Sequence, residues 1–144
     1  MKLLIVLCAV ISFSIESFAH DKVHNEAVKT RMKAMQELAS SMKVFGQISK
    51  GKRVFDTSEA RAIASQIAKI ASQTPGLFEG EESDPNSKAK PEIWFEFKDF
   101  SFKASQLERV AANLSNTISN SQDIKPAMRE IGSACKGCHT LYKE

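Results

Sequence analysis

Apolar residues in this chain recur at steps of three and four, and no long run alternates apolar with polar. That periodicity predicts helices and argues against strands. Helix A is expected from about Asp21 to Phe45. Its inward positions are Val28, Met32, Met35, Leu38, Met42 and Phe45, with Gly46 and Gly51 punctuating the stretch beyond it. Helix B is expected from Asp56, where Asp56 and Glu59 resemble a capping box. Ala60, Ile63, Ala64, Ile67, Ile70 and Ala71 form its apolar face, and Thr74-Pro75-Gly76 is expected to stop it.

Residues 75–91 read as a long loop rich in Pro, Gly and Asn, with Glu79, Glu81, Glu82 and Asp84 making it acidic. A calcium loop needs an ordered ligand series that is missing here, so a solvated surface loop is expected. Helix C is expected as one piece from Glu92, just after Pro91, to Ser119. Helix D is expected from Asp123 to Tyr142, with Pro126 tolerated in its first turn. The aromatic segment Trp94 to Phe102 is expected to pack in the core. The fold class is therefore all-α: an antiparallel up-down four-helix bundle, an architecture that places cofactors between facing helices.

The first residues read differently. Lys2, the apolar run Leu3 to Phe13 and Ser17-Phe18-Ala19 have the form of a signal peptide. Residues 1–19 are expected to be cleaved, leaving a single domain over 20–144 and an exported, periplasmic protein. The apolar run is too short for stable membrane insertion. The full chain of 144 residues carries a net charge of +3, and residues 1–19 hold one Lys and one Glu, so cleavage leaves that charge unchanged. Nothing in the composition points to a nucleic-acid partner.

Cleavage also removes Cys8, leaving Cys135 and Cys138. With His139 they form Cys135-Lys136-Gly137-Cys138-His139, the C-x-x-C-H attachment signature for c-type haem. On a helix all three side chains reach one side. The thiols form thioethers with the haem vinyl groups, and the imidazole becomes an axial iron ligand. A thioredoxin-like reading needs strands that are absent from the pattern. A zinc site wants a fourth ligand. A disulfide closing so short a loop gains little entropy. One haem c, bound covalently through two thioethers, is the expected cofactor. His20 and His24, four apart, are either a weak metal pair or a solvated terminus.

The second axial position is open to Met35, Met32 or Met42, all on helix A's seam, where Met also serves as core filler. The chain resembles the class II c-type cytochromes, the cytochrome c-prime group and its low-spin relatives. The resemblance rests on Arg31-Met32-Lys33-Ala34-Met35, Pro75-Gly76-Leu77-Phe78, Pro91-Glu92-Ile93-Trp94 and the C-terminal Cys135 to Lys143. It implies a left-handed four-helix bundle with haem between the helices, Arg31 close to a haem propionate and Met35 facing the distal side of the iron. In low-spin members that Met binds iron; in high-spin members the distal site is apolar and empty. Lys143 stands where the family often has Arg, so charge is kept and the planar donor fork is lost. The family's frequent homodimers leave a dimer through helices A and B open.

The function expected is one-electron transfer by His/Met-ligated iron. A five-coordinate iron binding nitric oxide or carbon monoxide is the alternative. No distal acid–base group falls on helix A's seam, so an enzyme is not expected. Lys29, Arg31, Lys33, Lys125, Arg129, Lys136 and Lys143 lie on the two helices flanking the haem. They form either a basic rim that steers acidic redox partners or an ordinary solvated surface.

Overall fold

The computed structural model describes residues 23–144. The expected signal peptide, Cys8 and His20 lie outside the described residues. Four long helices, α1 (Glu26–Ser49), α2 (Thr57–Leu77), α4 (Phe97–Thr117) and α5 (Ile124–Tyr142), form the bundle, with a short α3 (Glu92–Phe95) before α4. Among the described residues the one strand-type pairing is the isolated antiparallel bridge between Ala89 and Lys143.

Helix α1 starts later than Asp21 because Asn25 caps it, accepting the Val28 N–H at 3.0 Å. It also runs through Gly46 to Ser49. Gly46 costs helix propensity, but the last turn brings Ile48 into the core. The turn falls instead at Gly51, whose φ of 66° suits glycine. In α2, Asp56 takes the N-cap position, accepting the Glu59 N–H at 2.7 Å. The expected stop at Thr74-Pro75-Gly76 is displaced: α2 continues to Leu77 with Pro75 inside its final turn. There the missing N–H costs one bond, and Phe78 N–H closes the end on the Pro75 carbonyl at 3.0 Å.

The single helix C is broken at Glu96, whose backbone sits at φ −118° and ψ 35°. The cause is tertiary. On the α3 side the Trp94 indole donates to the carbonyls of Phe78 at 2.9 Å and Gly80 at 3.1 Å. On the other side Glu96 and Asp99 accept from Tyr142 of α5. Each half of the aromatic segment thus answers to a different neighbour. Nor is the segment wholly core: Ile93 and Phe100 are buried, whereas Phe95 is 80% and Phe102 53% exposed. Before α5, a 3-10 turn at Ser121–Asp123 is closed by a capping box between Asn120 and Asp123.

Phe45, Ile67, Ile118, Ile124 and Ile131 fill the main core between the long helices. A second cluster of Phe78, Ile93, Phe100 and Tyr142 closes one end. Phe100 meets Phe78 at 5.0 Å and Tyr142 edge-on at 5.5 Å. The acidic loop is more tied down than a solvated loop would be. Asp84 accepts from the backbone N–H groups of His24 and Asn25 at 2.7 and 3.1 Å, and Glu82 accepts from the Asn25 amide at 2.7 Å. The carboxylates therefore sit at the positive end of α1.

Candidate haem-binding site

A largely apolar cleft of about 310 Å³ opens beside that second cluster, between all four long helices. Helix α5 contributes Ala134, Cys135, Cys138, His139 and Tyr142. Helix α1 contributes Met35, Leu38, Ala39 and Met42; α2 adds Ala71 and Thr74, with Phe78 just beyond it. From α3 and α4 come Ile93, Phe100, Lys103, Ala104 and Leu107. The loop supplies Lys88 and Ala89, and the C-terminus Lys143. The lining holds no Asp or Glu.

The C-x-x-C-H residues are thus brought together, because α5 winds Cys135, Cys138 and His139 onto one side. Burial pushes the Cys135 thiol above its ordinary value and Cys138 up to about 11. Both sulfurs are neutral thiols at neutral pH, half-buried and unpaired with each other. Burial, with the nearby Lys143 ammonium adding to it, lowers the His139 pKa, so the imidazole keeps a free lone pair at neutral pH. Two thiols and a neutral imidazole on one wall of an apolar cleft form the donor set that haem c requires. The residues present fit the group. Gly137, the spacer, faces open space: an added Cβ would meet no protein atom within 4 Å.

Met35 lines the cleft from α1, as does Met42; Met32 is half-buried and does not. Arg31 lies outside the lining. It is 3% exposed, and its guanidinium donates to the carbonyls of Leu77 at 2.7 Å, Glu82 at 2.8 Å and Gly80 at 2.5 Å. It also stacks 4.8 Å from the Phe78 ring centroid and 5.6 Å from that of Trp94. Burial lowers its pKa, against the opposing pull of Glu82. This buried Arg31 leaves the expected basic rim and instead holds the loop wall, through Phe78, against the cleft.

Sequence reasoning missed Thr74, Phe78, Lys88, Lys103 and Tyr142 as lining residues. Phe78 and Tyr142 fall inside quoted motifs, which is a signal of a kind. Lys88 sits in the loop and Lys103 on a polar stretch of α4, where no local pattern marks them. His24 engages Asp84 through its backbone. Among the described residues no group of three or more His, Cys, Asp or Glu side chains is placed to hold a metal ion.

Comparison with known proteins shows the family. The family described as cytochrome c' matches residues 26–143. Cytochrome c-556 of Agrobacterium fabrum is 33% identical, covering 81% of this chain and 80% of that protein. The NMR-validated structural model of oxidized Rhodopseudomonas palustris cytochrome c556 superposes with a TM-score of 0.74 at 27% identity, over 83% of this chain and 96% of that one. Cytochrome c prime from Shewanella frigidimarina gives a TM-score of 0.71 at 28% identity, over 82% and 94%. A bundle carrying C-x-x-C-H on its last helix is a class II c-type cytochrome. This chain belongs to the cytochrome c' family, and its cofactor is haem c, with Cys135 and Cys138 present for covalent attachment.

Proposed function

We propose that the protein is a one-electron carrier in which His139 and Met35 take the two axial positions of the haem iron. The observation that carries this reading is that Met35 and His139 line one cleft from two different helices, while Met32 stays outside it. Imidazole plus thioether ligation favours ferrous iron and raises the potential. When bound, haem c supplies the redox chemistry; the chain supplies ligands and a dry surround. Cys135 and Cys138 fix the group, and His139 presents its neutral imidazole. Lys88 and Lys103 line the cleft and would supply ammonium groups to pair the carboxylates of the group. Arg31 supports the same wall from behind.

No helix among the described residues is long and apolar enough to cross a membrane. Residues 1–19, read as a cleaved signal peptide, support a periplasmic protein. The remaining basic residues, Lys136 and Lys143 nearest the cleft, favour acidic redox partners. Homodimerisation through α1 and α2 is part of the same proposal.

A second reading has its own support. Leu38, Ala39 and Leu107 line the same cleft as Met35 with apolar surface, which suits a five-coordinate iron that takes up nitric oxide or carbon monoxide. An absorption spectrum separates the two. Methionine ligation gives a low-spin ferric haem with a sulfur-to-iron charge-transfer band, lost in Met35→Ala and kept in Met42→Ala. A wild-type spectrum that is already high-spin, or one unchanged by Met35→Ala, refutes Met35 ligation.

A further inference from the structure

Tyr142 ends α5 three residues after His139 and is 2% exposed. Its hydroxyl lies 2.6 Å from an Asp99 carboxylate oxygen and 3.0 Å from one of Glu96. A phenol has one proton to donate, so the shorter contact makes Asp99 the main acceptor and Glu96 the alternative. Lys103, 3.6 Å from Asp99, offsets part of this negative charge. The backbone at Tyr142 is held as well. Its carbonyl accepts from Lys90 N–H at 3.1 Å, and Glu144 N–H donates to the Lys88 carbonyl at 3.0 Å. Its ring packs edge-on against Phe100 inside the cleft wall. The final turn of α5 is therefore fastened from the α3–α4 junction and from the loop, immediately beyond the haem-bearing residues.

The geometry points to Tyr142 as a positioning residue: its hydroxyl, held by Asp99 and Glu96, sets the orientation of the His139 turn against the iron. Among the described residues, no other hydrogen bond of α5 joins a nearly buried side-chain polar group to carboxylates outside that helix. A free helix end would fray within its last turn and let the imidazole plane rotate. The break at Glu96 gains a reason, since it lets the carboxylates of Glu96, at the α3–α4 junction, and Asp99, in the first turn of α4, reach one hydroxyl. This inference rests on haem attachment at Cys135, Cys138 and His139 and not on Met35 as ligand. The state of Met35 is read from the wild-type spectrum, whereas the role of Tyr142 is read from the change on substitution.

The test compares Tyr142→Phe with Trp94→Phe in the matured holoprotein. Trp94→Phe removes the indole donor from the carbonyls of Phe78 and Gly80 and leaves the bonds of the Tyr142 hydroxyl to Asp99 and Glu96 in place. Two readouts are taken: the paramagnetically shifted haem-methyl proton resonances of the ferric form, which report the imidazole orientation, and the midpoint potential. Tyr142→Phe is expected to move the haem-methyl resonances. It also leaves both carboxylates without their proton donor, which favours ferric iron. The ferrous-to-ferric ratio at fixed applied potential is expected to fall roughly three- to tenfold, tenfold being 59 mV for one electron. Trp94→Phe should lower stability and leave both readouts in place. Tyr142→Phe that only loses stability, with resonances and potential unchanged, overturns the assignment. Should Tyr142→Phe fail to retain haem, Glu96→Gln with Asp99→Asn weakens the same bonds and keeps the ring. In that variant unmoved resonances overturn the assignment and moved ones support it.

Discussion

Replacing Arg31 with Ala removes one of the contacts that bind the loop to the bundle, a buried one with three hydrogen bonds. Three charge-assisted bonds to the carbonyls of Leu77, Gly80 and Glu82 disappear, together with stacking on Phe78 and Trp94. Bonds to a charged donor are worth about 1.5–3 kcal/mol each when their acceptors stay dry. Gly80 and Glu82 are exposed residues, so two of the three carbonyls recover water and only the Leu77 bond carries its full loss. Adding about 0.5–1 kcal/mol for the lost cation–π stacking gives a net cost of about 2–4 kcal/mol. For a domain of this size that is a fall of roughly 10 °C in Tm. Arg31→Lys keeps the charge but not the planar fork or the stacking, and recovers less than half. Urea unfolding of the holoprotein, followed by circular dichroism at constant slope, measures both variants. A loss below about 1 kcal/mol for Arg31→Ala would refute the reasoning, because surface substitutions alone reach about 0.5 kcal/mol.

Two more outcomes are expected from contacts elsewhere in the bundle. Hydrogen bonds from the backbone of Asn86, then of Asn25 and His24, hold the Asp84 carboxyl below the ordinary carboxylate range. Asp84 thus binds its proton less readily folded than unfolded, so its contribution is present above the ordinary range and lost as pH falls through the depressed value. Asp84→Ala should flatten the acid limb of stability against pH; an unchanged limb contradicts this. Phe45 is fully buried in the main core and does not line the cleft, so Phe45→Ala should cost about 3–5 kcal/mol while leaving the haem spectrum in place. A spectral change at native conditions would contradict that separation.

The long helices were legible because burial imposes a period on the sequence. Val28, Leu38 and Phe45 of α1, and Ala60, Ala64, Ile67, Ile70 and Ala71 of α2, are buried as their spacing requires. So were the three residues of the haem signature, which lie within five consecutive positions and need no distant partner to be recognised. Features fixed by distant partners were not. The apolar pattern runs through Glu96 without interruption, and the break there depends on Trp94 and Tyr142 reaching different neighbours. Arg31 is a charged residue next to an apolar seam; its burial depends on carbonyls 46 to 51 residues away. The loop's role as a cleft wall rests on the same long-range bonds and on the Ala89–Lys143 bridge.

The central claim, covalent attachment of one haem through Cys135 and Cys138, is tested most directly by the intact mass of the protein matured in a host that assembles c-type cytochromes. The account predicts the polypeptide mass plus one haem, unchanged by acid–acetone extraction. In Cys135→Ala with Cys138→Ala, that added mass should be lost under the same extraction. A wild-type protein with the bare polypeptide mass, its colour passing into the acetone, would contradict it.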